Sequence, residues 1–222
     1  MVKALALDIA DDSGAWSALG FAAEGTTVRI GTTDLVLRGS DVTGPASTGI
    51  LGWTIGTDSD VVPDLIDGIT TRVGDGGAGS ANAPSHPNGV STIDHVVAMT
   101  PDLDRTIEAL TESGFELRRV RDAGGGRHQA FFWVGNVVLE VVGDPKAPSG
   151  PARLWGLAFV TDDIDATAAF LGADRCTKPG AAVQKGRRIC SLTPAAGLSI
   201  PVAFMTPHDR QTTSPATPRS PV

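Results

Sequence analysis

The sequence predicts an α+β fold made of paired strand–helix–three-strand (βαβββ) units, and the first reason is an internal duplication. Ile93 to Asp104 aligns without a gap with Leu154 to Asp165, and the two copies end in Thr-Pro-Asp-Leu-Asp and Thr-Asp-Asp-Ile-Asp. In the helix that follows each copy, apolar residues recur at the i, i+4, i+7 spacing that places them on one face. The 27 glycines and 15 prolines among 222 residues indicate many turns and short strands.

Composition and charge favour a globular protein that binds a small molecule. Hydrophobic residues make up 41% of the chain, and the formal charge is -7. This charge argues against nucleic acid and anionic membrane surfaces as partners, because both are bound through basic patches. No apolar run is long enough to span a membrane and no export signal is recognisable, so we expect a cytoplasmic protein. Cys176 and Cys190 form neither a disulfide framework nor a zinc motif, so we expect reduced packing residues.

Residues 1–70 are expected to form a reduced N-terminal copy of the unit. Lys3 to Ala10 predict a buried strand, a short helix follows, and Thr27 to Leu37 predict a hairpin. Residues 50–58 predict another strand, which resembles residues 154–162, and a weak helix is expected around Val61 to Ile69.

Two matches between residues 50–58 and 154–162 support this second repeat, namely Gly52 with Gly156 and Asp58 with Asp162. Several aspartates lie near the start of a predicted helix, and this position favours helix capping over metal binding. Carboxylates at the first turn of a helix stabilise its exposed backbone amides. This group comprises Asp58, Asp60, Asp162, Asp163 and Asp165.

The remaining boundaries follow from composition. Residues 71–91 are rich in Gly, Ser and Pro and predict a linker, in which His86 is expected to be solvated. Residues 92–207 predict a complete unit, and residues 208–222, dense in Thr, Ser and Pro, a disordered tail.

Two polar residues interrupt apolar strands of the complete unit. His95 lies in Ile-Asp-His-Val-Val, and Glu140 lies in Val-Leu-Glu-Val-Val. A buried carboxylate without a partner costs several kcal/mol, so Glu140 should have a cation, a metal or a proton beside it. These two residues are the candidate catalytic pair.

With these motifs in these places, the chain resembles the vicinal-oxygen-chelate superfamily, and most of all bacterial glyoxalase-like domain proteins. That superfamily includes glyoxalase I, extradiol dioxygenases, methylmalonyl-CoA epimerase, fosfomycin-resistance enzymes and bleomycin-binding proteins. Further motifs that carry the resemblance are His-Pro-Asn-Gly-Val at 86–90, Gln-Ala-Phe-Phe at 129–132 and Trp-Gly-Leu-Ala-Phe-Val at 155–160. The resemblance implies paired modules that curl into a half-open mixed-sheet barrel, with residues 1–70 as a degenerate copy.

The resemblance also implies metal ligands on the first and fourth strands, here His95 and Glu140, for a divalent ion such as Zn, Mn, Ni, Fe or Co. The second module departs from this pattern, because Gly156 aligns with His95 and Val202 with Glu140. In the N-terminal copy, Leu5 and Val36 take these two places. A 2-His-1-carboxylate site would require another histidine.

Among the other histidines, only His128 lies on a predicted strand, and His86 and His208 lie outside the predicted strands. Strand alternation places Gln129, Phe131 and Trp133 on one face of that strand and His128 on the other.

Three interpretations of His95 and Glu140 remain open at this stage. They could hold a metal that polarises a substrate carbonyl, with Glu140 as a proton-transfer base, in a lyase, isomerase or dioxygenase. They could instead orient a polar ligand without metal, or survive as a structural relic in a protein that sequesters an antibiotic-type molecule.

Four further residues are candidates for substrate binding, namely Arg188, Gln129, Trp133 and Trp155. Arg187 and Arg188 should point to opposite faces of their strand, and we expect Arg188 to face the site and bind an anionic group. The expected partner is a small-molecule ligand, and a homodimer is compatible with the resemblance.

Overall fold

The computed structural model describes residues 1–41, 48–58, 62–74, 84–135 and 137–208. These residues form fifteen strands, three α-helices and one 3-10 turn, arranged around two mixed sheets. The α+β class predicted from the sequence is therefore confirmed. No helix in these ranges is long and apolar enough to cross a membrane.

The first sheet is built from the N-terminal third of the chain and has the strand order β2-β3-β4-β1-β5-β7-β6. Its elements are β1 (Lys3–Ile9), α1 (Ser13–Ala18), β2 (Ala23–Glu24), β3 (Thr27–Ile30), β4 (Thr33–Leu37), β5 (Ile50–Gly56), β6 (Leu65–Ile66) and β7 (Ile69–Val73). The predicted first strand and the predicted β3–β4 hairpin are both present.

The second sheet has the order β13-β14-β15-β12-β8-β11-β10-β9. Its first module comprises β8 (Val90–Thr100), α2 (Leu103–Glu112), β9 (Glu116–Gly124), β10 (Arg127–Val134) and β11 (Val137–Gly143). Its second module comprises β12 (Arg153–Thr161), α3 (Ile164–Leu171), β13 (Gly180–Ala181), β14 (Arg188–Ser191) and β15 (Val202–Met205).

The two modules of the second sheet are joined edge to edge. In each module the last strand pairs in parallel with the first, β11 with β8 and β15 with β12. The first strands of the two modules, β8 and β12, pair antiparallel and so unite the modules in one sheet. This topology confirms the paired βαβββ plan for residues 92–207. Asp102 and Asp163 cap α2 and α3 through their side chains, as predicted for the second helix.

The two faces of the second sheet differ in what covers them. Val96, Ala98, Leu139 and Val141 alternate along β8 and β11 and are at most 1% exposed, because they pack into the core with the helices. The intervening side chains on the other face, which include His95 and Glu140, are only partly buried. We call this second surface the open face.

Aromatic side chains join the two sheets in one core. Trp16 and Phe21 of the N-terminal unit contact Phe159 of β12, with ring centroids 6.3 and 5.3 Å apart. Trp53 of β5 stacks on Phe115 at 5.4 Å with an angle of 12° between the rings. The first sheet therefore packs on the helix side of the second sheet and leaves the open face uncovered by these aromatic contacts.

The prediction of a weak helix around Val61 to Ile69 is wrong for residues 62–69. They form the β6–β7 hairpin, which turns at Asp67 (φ 45°) and Gly68 (φ 87°). Two consecutive positive φ values suit an Asp-Gly hairpin turn, and this signal outweighs the weak helical periodicity. Val61 and Asp60 lie outside the described residues, and the Asp58 side chain binds the N-terminal amine.

The expectation that His86 is solvated is also wrong. His86 is 6% exposed, its Nδ1 accepts a hydrogen bond from the Ala22 amide at 2.9 Å, and its Nε2 lies 3.0 Å from the Arg29 carbonyl oxygen. Both ring nitrogens thus satisfy backbone groups of the N-terminal unit. Residues 75–83 of the predicted linker and residues 209–222 of the predicted tail lie outside the described residues.

Candidate functional site

His95 and Glu140 come together on the open face. In the parallel pairing of β8 and β11, His95 lies opposite Val138 and Glu140 lies opposite Val97, so the two are diagonal neighbours on one face. His95 Nε2 and Glu140 Oε2 are 3.7 Å apart, and the side chains are 16% and 14% exposed. The sequence therefore predicted correctly that an imidazole and a carboxylate distant in the chain meet in a sheltered place.

A bulge in β8 brings Asp94 to the same imidazole. Neighbouring strand residues normally point to opposite faces, but the β8–β12 register shifts between Ile93 and His95, which makes Asp94 an extra residue. Asp94 Oδ2 can consequently reach His95 Nδ1 at 2.8 Å. An ionised carboxylate only accepts hydrogen bonds, so Nδ1 carries the proton and Nε2 is the atom left to face Glu140.

Arg187 neutralises Asp94 from the second module. Its side chain is 3% exposed, and its Nη2 donates to Asp94 Oδ1 at 2.6 Å. Its Nε donates to the carbonyl oxygen of Thr206 at 2.7 Å, and its Nη1 donates to Gln184 Oε1 at 2.5 Å. These three bonds fix the guanidinium group rigidly.

Burial alone would raise the pKa of Asp94, but the hydrogen bonds from His95 and Arg187 and the charge of Arg187 outweigh it. The pKa of Asp94 is lowered to about 2. Asp94 is therefore an anion at any physiological pH and keeps the His95 ring in one orientation.

Gln129 orients Glu140 from the other side. Its amide Nε2 donates to Glu140 Oε1, and its Oε1 accepts from Arg121 Nε at 2.6 Å. Because the carbonyl end faces the arginine and the amide end faces the carboxylate, both bonds agree on one orientation of the amide. Glu140 Oε2 is thereby left to face His95.

The two candidate tryptophans lie at the partly exposed surface. Trp133 is 44% exposed and shares its strand face with Gln129 and Phe131, and it pairs with Val138, which in turn lies opposite His95. Trp155 is 39% exposed and lies in a second irregularity of the β8–β12 pairing, between Leu154 and Gly156. Both remain candidates for ligand contact.

The prediction that Arg188 faces the site is wrong, and Arg187 takes that place. Arg188 lies on the same side of β14 as the buried Cys190 and forms two hydrogen bonds, at 2.6 and 2.8 Å, with Asp165 of α3. Arg187 precedes the first residue of the strand and reaches Asp94 from there. The two arginines do point to opposite sides, but the sequence alone did not show which side each takes.

The other histidines contribute little to the pair. His128 is exposed and lies on the opposite face of β10 from Gln129, as strand alternation predicted. There it lines a cleft of about 460 Å³ with Asp102 and Asp104 near the start of α2, and this cleft does not include His95 or Glu140. His208 Nε2 lies 3.0 Å from Arg187 Nη1, at the rim of the site.

The counterpart positions in the second module carry no ligand. Gly156 occupies the open-face position that corresponds to His95, as predicted. The counterpart of Glu140 is Ala203 instead of Val202, because Ala203 pairs with Ala158 just as Glu140 pairs with Val97. Val202 is 2% exposed and belongs to the core.

The N-terminal sheet carries ion pairs on its corresponding face. Asp8 of β1, whose side chain is 7% exposed, binds both Arg38 and Arg72 at 2.5 Å. Asp34 of β4 binds Arg29 at 2.8 Å. Neither arrangement pairs an imidazole with a carboxylate.

The residues present do not fit a resident divalent metal. Within the described ranges, no group of three His, Cys, Asp or Glu side chains could hold a metal ion. His95 Nε2 and Glu140 Oε2 are two possible donors, but their remaining atoms are bound to Asp94 and Gln129. Metal sites in enzymes commonly take at least three protein ligands, so this donor set is incomplete.

A family comparison agrees with this geometry. Residues 92–183 match the model of the Glyoxalase/Bleomycin resistance protein/Dioxygenase superfamily. The match covers 92 of the 222 residues, so the similarity to that superfamily applies to this part of the chain. The match spans the first module, α3 and the start of the β13–β14 region, and so includes His95, Glu140 and Gln129 but ends before Arg187.

Solved structures of methylmalonyl-CoA epimerases are similar to about half of the chain. Methylmalonyl-CoA epimerase from Mycobacterium tuberculosis is 19% identical with a TM-score of 0.45, and the match covers 54% of this chain and 89% of that chain. A Streptomyces coelicolor methylmalonyl-CoA epimerase variant in complex with 2-nitronate-propionyl-CoA is 23% identical with a TM-score of 0.45, covering 54% and 96%. No curated protein sequence matches the chain.

Sequence reasoning missed Asp94 and chose Arg188 instead of Arg187 as the inward arginine. Asp94 precedes His95 directly, and in a regular strand it would lie on the opposite face, so only the bulge brings it to the imidazole. A possible signal was the pair of adjacent polar residues within an otherwise apolar strand, since two such residues predict an irregularity more readily than one.

Proposed function

We propose that this glyoxalase-like protein is an enzyme that moves a proton at a carbon atom next to a carbonyl group of a small molecule, as an isomerase or lyase. The observation that carries the proposal is the facing pair of His95 Nε2 and Glu140 Oε2, 3.7 Å apart, with each group oriented from behind by its own partners. Two groups that exchange protons, held next to each other at a partly open surface, suit general acid–base catalysis.

The roles follow from the hydrogen bonds. Glu140 Oε2 accepts a proton from the carbon, because Gln129 occupies only the other carboxylate oxygen. His95 Nε2 exchanges a proton with the oxygen or carbon of the intermediate, and Asp94 stabilises the imidazolium form when the ring takes up a proton. Asp94, Arg187 and Gln129 are positioning residues.

Proton exchange with solvent tests the proposal without knowledge of the natural substrate. The protein is incubated in D₂O with a panel of dicarbonyl compounds, 2-oxo acids and acyl thioesters, and loss of the proton next to the carbonyl is followed by NMR. Exchange of at least one panel compound is expected, and Glu140→Gln and His95→Asn should each slow it by about 10²- to 10⁴-fold. His128→Asn is the matched control, because His128 lies on the other face of the sheet.

The proposal is abandoned if exchange is equally fast in Glu140→Gln and in the unaltered protein. Saturable binding of a panel compound without exchange would instead favour a sequestering protein. The partly exposed Trp133 and Trp155 are the observation that favours this second function, because exposed aromatic rings beside a site bind planar ligands well.

One observation favours the alternative that the activity depends on a metal, namely the hydrogen bond between Asp94 and His95. Histidines that bind metals usually donate their other ring N–H to a carboxylate. The metal content of protein purified without chelator distinguishes the alternatives. A stoichiometric divalent ion that disappears in His95→Ala would replace the metal-free assignment, while absence of metal from active protein agrees with it. Among the described residues, no second imidazole joins His95 and Glu140 as a 2-His-1-carboxylate centre requires, so dioxygenase chemistry is not part of the proposal.

A further inference from the structure

Two arginines lie on the open face beside the proposed catalytic pair. Arg119 and Arg121 are two residues apart on β9 and therefore point to the same face, where they pair with Phe131 and Gln129 of β10. The Arg119 guanidinium carbon lies 4.7 Å from the centroid of the Phe131 ring, and that of Arg121 lies 5.2 Å from the same centroid. Phe131 is only 7% exposed, because the two guanidinium groups lie over its ring.

Neither arginine has a carboxylate partner within the described part of the chain. Arg121 uses Nε for Gln129 and keeps its two terminal nitrogens free of protein hydrogen bonds there. Arg118, which precedes Arg119 at an irregularity of the β9–β10 pairing, binds Glu116 at 2.5 Å. Among the described residues, this strand thus pairs Arg118 with an acid and leaves Arg119 and Arg121 without one.

Two adjacent cations without an acid need another source of stabilisation. Like charges on neighbouring positions of one strand face repel each other, and contact with one aromatic ring offsets only part of this, about 0.5–1 kcal/mol at an exposed site. A bound oxyanion would neutralise both groups and accept hydrogen bonds from both planar guanidinium forks. The protein as a whole has a net charge of -7, so this local concentration of positive charge is not an average property of its surface.

We propose that Arg119 and Arg121 form a subsite for a carboxylate or phosphate group of the substrate. The proposal rests on the proposed function, since it places the anionic end of the molecule that His95 and Glu140 act upon. Phe131 lies opposite Glu140 in the β10–β11 pairing, so Arg119 and Glu140 belong to one row of the sheet with a single strand between them.

The strand spacing sets the size of the substrate. Two strand intervals separate the backbones of Arg119 and Glu140 by about 10 Å. The Arg119 side chain leans over the intervening Phe131 ring, which shortens the distance to the reacting carbon. The substrate is accordingly a short carbonyl compound with an anionic group a few bonds from the carbon that loses its proton.

Binding of simple anions tests the subsite separately from catalysis. Inorganic phosphate and succinate are titrated into the full chain at constant ionic strength, and the arginine Nε–Hε signals are followed by ¹H–¹⁵N NMR. One of the two probes should bind saturably and shift the Arg119 and Arg121 signals. Arg119→Gln should weaken that binding about tenfold, because it removes one charge-assisted contact.

Arg118→Gln is the matched control and should change the affinity by less than about twofold, because the charge of Arg118 is already paired with Glu116. Arg119→Lys should retain part of the affinity, since it keeps the charge and loses the planar fork. If only phosphate binds, the anionic group of the substrate is assigned as a phosphate ester. If only succinate binds, that group is assigned as a carboxylic acid.

Two results would overturn the subsite. One is that neither anion binds with a dissociation constant below about 10 mM, and the other is that Arg118→Gln weakens binding as much as Arg119→Gln. Glu140→Gln should still bind the anion. If an anion binds but no panel compound exchanges its proton, the proposed chemistry is refuted and the subsite stands. If a panel compound exchanges its proton but neither anion binds, only the subsite is refuted.

Discussion

The buried pair of Asp94 and Arg187 offers a quantitative test of how the site is held together. Their side chains are 7% and 3% exposed, and Asp94 Oδ1 and Arg187 Nη2 are 2.6 Å apart. Two unit charges at about 4 Å attract each other by roughly 4 kcal/mol at an effective dielectric constant of about 20. Removal of one partner alone leaves the other as an uncompensated buried charge, which costs about 3–5 kcal/mol.

We therefore expect Asp94→Asn to lower the free energy of unfolding by about 3–5 kcal/mol, and Arg187→Met to lower it by a similar amount. The double variant carries no unpaired charge at this place. Its loss should be at least about 2 kcal/mol smaller than the sum of the two single losses. Urea unfolding followed by far-UV circular dichroism measures all four free energies of the cycle.

The neighbouring pair of Arg188 and Asp165 is the control for this cycle. It has the same chemistry and a contact of 2.6 Å, but its side chains are 42% and 66% exposed. Because solvent screens an exposed pair, each of the substitutions Arg188→Met and Asp165→Asn should cost no more than about 1 kcal/mol. Losses at Asp94 and Arg187 that add within about 0.5 kcal/mol, or a control cycle with equal coupling, would refute the reasoning.

Three further predictions concern pH and packing. Because the pKa of Asp94 is lowered to about 2, its carboxylate stabilises the fold by roughly 2.4 kcal/mol at pH values above the pKa that Asp has in the unfolded chain. This contribution should fade as the pH falls from about 5 toward 2. The free energy of unfolding, measured in acid titrations, should therefore decline less in Asp94→Asn than in the unaltered protein. Burial lowers the pKa of His86, whose Nδ1 accepts a hydrogen bond from the Ala22 amide. As the pH falls, the imidazole is therefore protonated in the unfolded chain before it is protonated in the folded one, and the melting temperature should decrease at pH values below about 6.5. An equal decrease in His86→Gln would contradict this prediction. A Cβ atom at Gly156 would lie 2.7 Å from the Pro201 carbonyl oxygen, so Gly156→Ala should lower the free energy of unfolding by about 1–3 kcal/mol, whereas Gly180→Ala, with open space around it, should not.

The fold could be predicted largely because its signals are periodic. The gapless repeat of β8–α2 and β12–α3 predicted both modules, and alternation placed Gln129, Phe131 and Trp133 together on one face of their strand. The β6–β7 hairpin was missed because its information resides in one Asp-Gly turn, and such a local signal competes with a helical pattern of similar strength.

The candidate site was predictable only in part. A polar residue within an apolar strand predicts burial with a partner, and this argument identified His95 and Glu140. The partners themselves depend on register. Asp94 reaches the imidazole through a bulge and so does not follow the period of two, and Arg187 reaches Asp94 from a segment that precedes its strand.

The matched glycines explain why the second module carries no second set of polar groups at its first strand. A Cβ atom at Gly52 would lie 2.7 Å from the Thr70 carbonyl oxygen, and one at Gly156 the same distance from the Pro201 oxygen. At both places a neighbouring backbone closes over the position that corresponds to His95, so a side chain cannot be accommodated without a shift of the backbone.

The second module contributes to the site in another way. The second module supplies Arg187, which donates a hydrogen bond to Asp94 at the β8 bulge of the first module. The first module thus holds His95 and Glu140, which we propose exchange protons, and the second module holds the cation that fixes Asp94 beside His95. An isolated first module would lose this orientation even if its strands formed, because Asp94 would then have no buried cation to hold its carboxylate in place next to His95.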